Sequence, residues 1–80
     1  MQTLDQLQKG DHAIIKAINA TDSLKHRLIS FGLFKGSQIE IKECAIRKKT
    51  IEIAVGRTLI ALRIDEAKKI EVQKIWALSK

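Results

Sequence analysis

The sequence predicts a mainly β fold, a small barrel of about five short strands with one short α-helix inserted after the first strand. Apolar and polar residues alternate in several short segments, glycines or charged turns separate these segments, and no long crossover connects them. The 80 residues allow one modest core, because a chain of this size buries only about 60% of the surface that its unfolded form exposes.

One strand and one helix are predicted in the first half of the chain. Leu4 and Leu7 have the spacing of a single helical turn, which Gly10 ends. The apolar, β-branched stretch 13–18 predicts the first strand. Polar residues at 21–23 are good N-caps for a helix of about nine residues. Its apolar stripe is predicted to face the core and consists of Leu24, Leu28 and Phe31.

Glycines and charged turns separate the elements of the second half. Gly32 is predicted to end the helix and Gly36 to precede the next strand, since glycine accepts a positive φ at little cost. Residues 39–42 and 51–55 alternate as half-buried antiparallel strands, joined by a charged hairpin tip at 47–50. The remaining predicted elements are a tight Gly56–Arg57 turn, an apolar strand over 59–64, one helical turn capped by Asp65, and a last strand with Ile70 and Val72.

The bulk composition bounds the location and the partners. A formal net charge of +6 suggests an acidic partner, nucleic acid or an anionic membrane face, and the alternative is a solvated surface that happens to be basic. No apolar run approaches the roughly 18 residues that span a membrane, and no signal peptide is visible at the N-terminus. The single cysteine, Cys44, forms no internal disulfide. We therefore expect a cytoplasmic protein.

Residues suited to catalysis or metal binding do not form a site in the sequence. His12, His26 and Cys44 are not spaced as a chelating pair, so no metal site and no cofactor are predicted. Ser30 and His26 are four residues apart on the predicted helix but lack oxyanion donors and an orienting acid. The expected function is therefore binding, not catalysis, and a free-standing metal sensor fails on ligand count unless a second subunit contributes ligands.

Two apolar residues stand outside the predicted core stripe. Ile29 lies about 140° from Leu24 on the helical wheel, and Phe34 lies in the turn between two glycines, where a polar residue is usual. Together they could form an apolar partner surface rimmed by Lys25 and Lys35. The alternative is that the small barrel buries both residues as core. The stem of Arg27, beside the stripe, is expected to cover the core, while its guanidinium could bind a carboxylate or nearby carbonyls.

A second hypothesis is RNA or ribosomal binding by a basic barrel. Its contacts would lie at neighbouring hairpin ends and would comprise Arg47, Lys48, Lys49 and Arg57. Stacking on bases needs exposed aromatic residues. This chain has only Phe31, Phe34 and Trp76. DNA binding is not expected.

Three segments together resemble the ferrous iron transport protein A (FeoA) family. They are Leu4-x-x-Leu7-x-x-Gly10, Arg27-Leu28-Ile29-x-Phe31-Gly32-Leu33-x-x-Gly36-Ser37-x-Ile39-x-Ile41 and Ala61-Leu62-Arg63-x-x-Glu66-Ala67-x-x-Ile70-x-Val72. The resemblance implies an SH3-like barrel over residues 1–73 that has no catalysis of its own. It also implies contact with the GTPase-bearing cytosolic part of the ferrous iron transporter FeoB, which would bring the protein to the inner face of the membrane.

The chain departs from the family pattern at two places. Lys35 stands where the family usually has proline, which adds a charge to the suspected partner surface. The apolar tail 74–80, with Trp76, runs past the usual end of the family. The predicted partner contacts are Ile29, Phe34, Lys35, Arg27 and Trp76. Weak self-association is a further expectation.

Overall fold

The computed structural model describes residues 2–45 and 47–75 as a curved antiparallel sheet with one main helix. The strands in these residues are β1 (Gln2–Thr3), β2 (His12–Ile18), β3 (Gln38–Ala45), β4 (Thr50–Val55), β5 (Thr58–Arg63) and β6 (Ile70–Ile75). The helices are a 3-10 turn (Leu4–Gln6), α1 (Asp22–Ser30) and the single turn α2 (Ile64–Ala67).

The strand order is β1-β6-β2-β3-β4-β5, and every neighbouring pair is antiparallel. Strands β2 to β5 follow one another, and β6 then returns to lie between β1 and β2. This arrangement confirms the predicted mainly β fold with a helix after the first long strand. The two-residue strand β1 was not predicted, because two residues are too few to show a period.

Alternate residues of the strands build the core. Ile39 and Ile41 of β3 and Ile51 and Ile53 of β4 are buried, while Glu40 and Glu52 between them face outward. Each fully buried Ile or Leu side chain contributes about 1.5–3 kcal/mol. Among the described residues, no polar or charged residue is buried in this core. The core within the described residues is therefore packed from apolar side chains.

Helix α1 ends in a Schellman motif centred on Gly32. The N–H of Leu33 donates to the carbonyl of Leu28 and the N–H of Gly32 donates to that of Ile29, both at 2.9 Å. Gly32 has φ +90°, as the motif requires. Leu28 and Leu33 are both fully buried, which supplies the apolar contact that accompanies this motif. The prediction that Gly32 ends the helix is confirmed.

Phe31 corrects the predicted core stripe. It was expected in the core beside Leu28, but 42% of the residue is exposed. The reason is that Phe31 is the C-cap, at the point where the chain leaves the helix. Leu33, after the turn, occupies the core instead. Leu24 is half-buried and packs against the core.

Helix α2 begins earlier than predicted. Its N-cap is Arg63 and its first residue is Ile64, whereas Asp65 was expected to be the cap. The Glu66 carboxylate explains the difference, because its Oε1 accepts the Arg63 N–H at 3.1 Å. This bond satisfies a backbone donor at the start of the helix.

Candidate partner-binding surface

Three apolar side chains lie exposed where α1 ends. The exposed fractions of Ile29, Phe31 and Phe34 are 45%, 42% and 50%. We call these three residues the α1-end surface. The alternative in which Ile29 and Phe34 belong to the core is therefore wrong. Sequence periodicity had placed Phe31 on the other side of the helix, so it was missed as a member.

The loop that carries Phe34 has a fixed backbone. Ser37 Oγ accepts the Phe34 N–H at 3.0 Å and donates to the Gly32 carbonyl at 2.9 Å. The Ser37 N–H also donates to the Phe34 carbonyl at 2.9 Å. On the other side, Gly36 donates to the Ile15 carbonyl at 2.8 Å, and the Ile15 N–H donates back to the Ser37 carbonyl at 2.9 Å. Side-chain and backbone bonds thus tie this loop to β2.

Two lysines flank the α1-end surface. Lys25 lies on α1 and Lys35 follows Phe34, and both are exposed. Within residues 2–45 and 47–75 neither lysine forms an ion pair. Their charges are therefore available to an acidic partner. The structure exposes Ile29, Phe34 and both lysines, while their role as one partner contact remains a prediction.

Arg27 binds a carboxylate of the same chain. Its Nη2 donates to Glu66 Oε2 at 2.7 Å. Partial burial raises the pKa of Glu66, but the Arg63 N–H and the Arg27 guanidinium more than offset this and hold the pKa below its ordinary value. The Arg27 side chain is 49% exposed. This geometry fits the carboxylate contact considered for Arg27, and the bond ties α1 to α2.

The basic residues of the RNA hypothesis do not form one surface. The turn 47–49 precedes β4, whereas Gly56 and Arg57 follow it. Consecutive hairpins of an antiparallel sheet turn at opposite ends of their shared strand, and β4 separates these turns by about 17 Å. The expectation that Arg57 lies at a neighbouring hairpin end is therefore wrong. Trp76 lies outside the described residues.

The described residues hold no group of three His, Cys, Asp or Glu side chains that could bind a metal ion. His12 Nε2 lies 4.0 Å from Glu40 Oε2 on the outer face of the sheet. His26 is exposed on α1 and Cys44 is half-buried on β3. The structure does not bring these three residues together.

Leu59 is an exposed apolar residue, although the sequence pattern does not distinguish it from the buried residues of the same strand. Its exposed fraction is 60%, the largest among the exposed large apolar residues of the described chain. The continuous apolar run 59–64 hid the alternation of β5, in which Ile60 and Leu62 are buried. The sequence therefore offered no periodic signal that separates Leu59 from the buried residues of β5.

Comparison with known proteins gives a consistent result. The model of the FeoA domain family matches residues 2–74. Fe(2+) transport protein A of Campylobacter jejuni is 40% identical over 73 residues, which are 91% of this chain and 99% of that protein. A fusion protein of Fe(2+) transport protein A with the Fe(2+) transporter FeoB, from Porphyromonas gingivalis, is 28% identical over 72 residues. The match covers 90% of this chain and 8% of the fusion.

A solved structure extends the comparison to the fold. FeoA of Stenotrophomonas maltophilia, solved in complex with zinc and described as a prokaryotic SH3 domain protein, superimposes with a TM-score of 0.79. The two sequences are 28% identical, and the match covers 91% of each chain. This likeness confirms the SH3-like fold that the sequence resemblance implied. Among the described residues, no helix is long and apolar enough to cross a membrane.

Proposed function

Because this chain belongs to the FeoA domain family, we propose that it is a non-catalytic accessory protein of a ferrous iron uptake system. In this proposal it acts in the cytoplasm, by contact with the cytosolic part of the iron transporter FeoB. The Porphyromonas gingivalis fusion supports this partner, since its name joins the two proteins in one chain. Such a linkage raises the effective concentration of each part for the other.

The observation that carries the proposal is the α1-end surface. Ile29, Phe31 and Phe34 expose large side chains close together in sequence, on a helix end and a loop that hydrogen bonds hold in place. A preformed apolar surface loses little conformational entropy on binding. Burying the exposed half of one such side chain contributes about 1 kcal/mol. The three residues together suit a contact of modest affinity.

Charge favours an acidic partner face. The chain has a net charge of +6, and Lys25 and Lys35 rim the α1-end surface. Complementary charge speeds association and orients the partners more than it raises affinity. We therefore expect the association rate to fall with salt more than the dissociation rate changes.

An amide chemical-shift titration with the isolated cytosolic domain of FeoB, at physiological salt, tests the proposal. Shifts should concentrate on residues 25–36. Ile29→Glu should weaken binding about tenfold, which corresponds to 1.4 kcal/mol. Gln73→Glu is the matched control, because it makes the same change in charge at an exposed position of β6.

Three outcomes contradict the proposal or part of it. Normal binding by Ile29→Glu would remove this residue from the interface. Shifts confined to the tail 74–80 would move the contact to the tail. The absence of any shift would reject the isolated cytosolic domain as the partner, and RNA would be titrated next. RNA binding would then have to weaken steeply with added salt.

A further inference from the structure

Strand β5 has an unpaired edge. Within residues 2–45 and 47–75, β5 pairs with β4 alone and ends the strand order. The two-residue turn makes Val55 and Thr58 opposite neighbours, which places them in a hydrogen-bonded pair. The backbone groups of Ile60 and Leu62 then point toward β4. Those of Leu59, Ala61 and Arg63 point away from it.

Two hydrogen bonds confirm this alternation and set the limit of the open edge. The Ile64 N–H donates to the Lys49 carbonyl, on the β4 side, at 2.8 Å. The Arg63 N–H, on the opposite side, donates to Glu66 Oε1 at 3.1 Å. Glu66 therefore caps the edge at Arg63. The open part runs over Leu59 and Ala61, which offer two N–H and two C=O groups.

In the part of the chain that the structure describes, the open edge lacks the usual protection. Edge strands are commonly protected by charged side chains, proline or a covering segment. Here the side chains beside the open backbone groups are apolar, and both Leu59 and Ala61 are exposed. A cavity of about 480 Å³ adjoins β5, lined by Ala61 and Arg63 of the strand and by Arg27 and Phe31 near α1. Its lining is mixed, because Phe31, Ala61 and Leu62 are apolar whereas Arg27, Arg63, Thr50 and Glu66 are polar or charged.

We propose that the β5 edge binds an extended segment of another protein as an added antiparallel strand. The segment is apolar at its centre, to pack on Leu59 and Ala61, and carries carboxylates at its ends. The charge pattern of β5 supports this chemistry, because Arg57 precedes the strand and Arg63 ends it. Main-chain bonds supply affinity in such complexes, and side-chain pockets supply specificity.

The same charges disfavour a second copy of this chain. A two-fold axis through Ile60 would pair Leu59 of one copy with Ala61 of the other and satisfy all four open backbone groups. However, this register also places Arg57 opposite Arg63. Like charges directly opposite are destabilising, and each copy carries a net charge of +6. An acidic segment of another protein avoids both the repulsion between Arg57 and Arg63 and the repulsion between two positively charged chains.

The inference goes beyond the proposed function, because the edge selects a segment by its chemistry, whichever protein supplies it. Hydrogen exchange of single amides tests it with a short synthetic peptide, in which valine and threonine alternate and aspartate occupies both ends. At about ten times the dissociation constant, exchange at Leu59 and Ala61 should slow about tenfold.

Specific results would overturn the inference. The absence of peptide binding would do so, as would chemical shifts without slowed exchange at Leu59 and Ala61, since side-chain docking alone does not protect these amides. Equal binding by a peptide with lysine at both ends would reject the acidic segment. Failure of the proposed function is a separate result, because it is measured by the amide shifts of residues 25–36 on titration with the FeoB domain.

Two variants complete the test. Ala61→Pro removes the outward N–H but leaves the hydrogen bonds between β5 and β4 intact. Edge strands tolerate proline at a position whose N–H points away from the sheet. The variant should weaken peptide binding about tenfold. Leu59→Ser is the second variant; it removes the apolar side chain without adding a charge or altering the backbone, so it serves if the proline variant fails to fold. It should also weaken binding, and unchanged binding by a folded form of either variant would overturn the inference.

Discussion

Arg27 and Glu66 are joined by a charge-assisted hydrogen bond of 2.7 Å, across 39 residues of sequence. The same carboxylate accepts the Arg63 N–H that begins α2. Glu66 therefore connects three elements: α1, α2 and the end of β5. The helix that carries Ile29 is held by this bond and by the burial of Leu28.

Glu66→Gln should lower the free energy of unfolding by about 1 kcal/mol. The variant removes the negative charge of a carboxylate whose two oxygens accept from Arg27 and from the Arg63 N–H. Urea denaturation measures the change. Glu52→Gln is the matched control. Glu52 is half-buried on β4 and forms none of the ion pairs found among the described residues. Its effect should stay within about 0.5 kcal/mol. Equal losses for both variants would mean that the Arg27 contact adds no stability.

Glu66 should also make stability depend on pH in the acid range. Its pKa in the folded protein lies below the ordinary value of 4.5. A lowered pKa contributes stability that is fully present above the unfolded value and is lost as pH falls through the folded value. The difference between wild type and Glu66→Gln should therefore be constant near neutral pH and shrink below about pH 4.5. A difference that grows in acid would contradict the assignment.

Gly32→Ala should lower the free energy of unfolding by about 1 kcal/mol, because alanine resists the φ of +90°. Steric overlap contributes little, since an added Cβ would lie 3.9 Å from Val55 Cγ1. Gly32→Asn should cost less, as asparagine accepts positive φ more readily. Thermal unfolding of the two variants gives the comparison, and a larger loss for Asn would point to packing instead.

Ser37→Ala should loosen the loop that presents Phe34. The variant removes the acceptor of the Phe34 N–H and the donor to the Gly32 carbonyl. We expect faster amide exchange at Phe34, a loss of about 1 kcal/mol in stability and weaker partner binding. Ser30→Ala is the control, because the bond that Ser30 Oγ makes among the described residues goes to the Arg27 carbonyl within α1. Unchanged exchange at Phe34 would show that the backbone bonds to β2 suffice.

Local patterns predicted most of the fold. The period of two placed Ile39, Ile41, Ile51 and Ile53 in the core, and Gly32 marked the helix end, because neighbouring residues alone decide these features. The same local rules failed where the three-dimensional structure decides whether a side chain is buried. Phe31 fits the helical stripe but lies at the C-cap, where the stripe no longer faces the barrel.

The candidate surface was predicted in part. Ile29 and Phe34 were found because each breaks a local rule. Leu59 was missed because it sits in a run of apolar residues whose alternation becomes clear only when β5 is paired with β4. The separation of Arg57 from the turn 47–49 also depends on that pairing, since sequence distance does not tell which end of a sheet a turn occupies.

The position of β6 has a consequence for folding kinetics. This strand pairs with β2, joining His12 to Ile75 and Ile18 to Ile70, and with β1 at the start of the chain. Most of the sequence thus lies between β6 and the strands with which it pairs, which raises the contact order. Bringing β6 to β1 and β2 costs chain entropy before the strand pairing contributes any stabilisation. During synthesis, the meander from β2 to β5 can form first, and the sheet is completed only when β6 has left the ribosome.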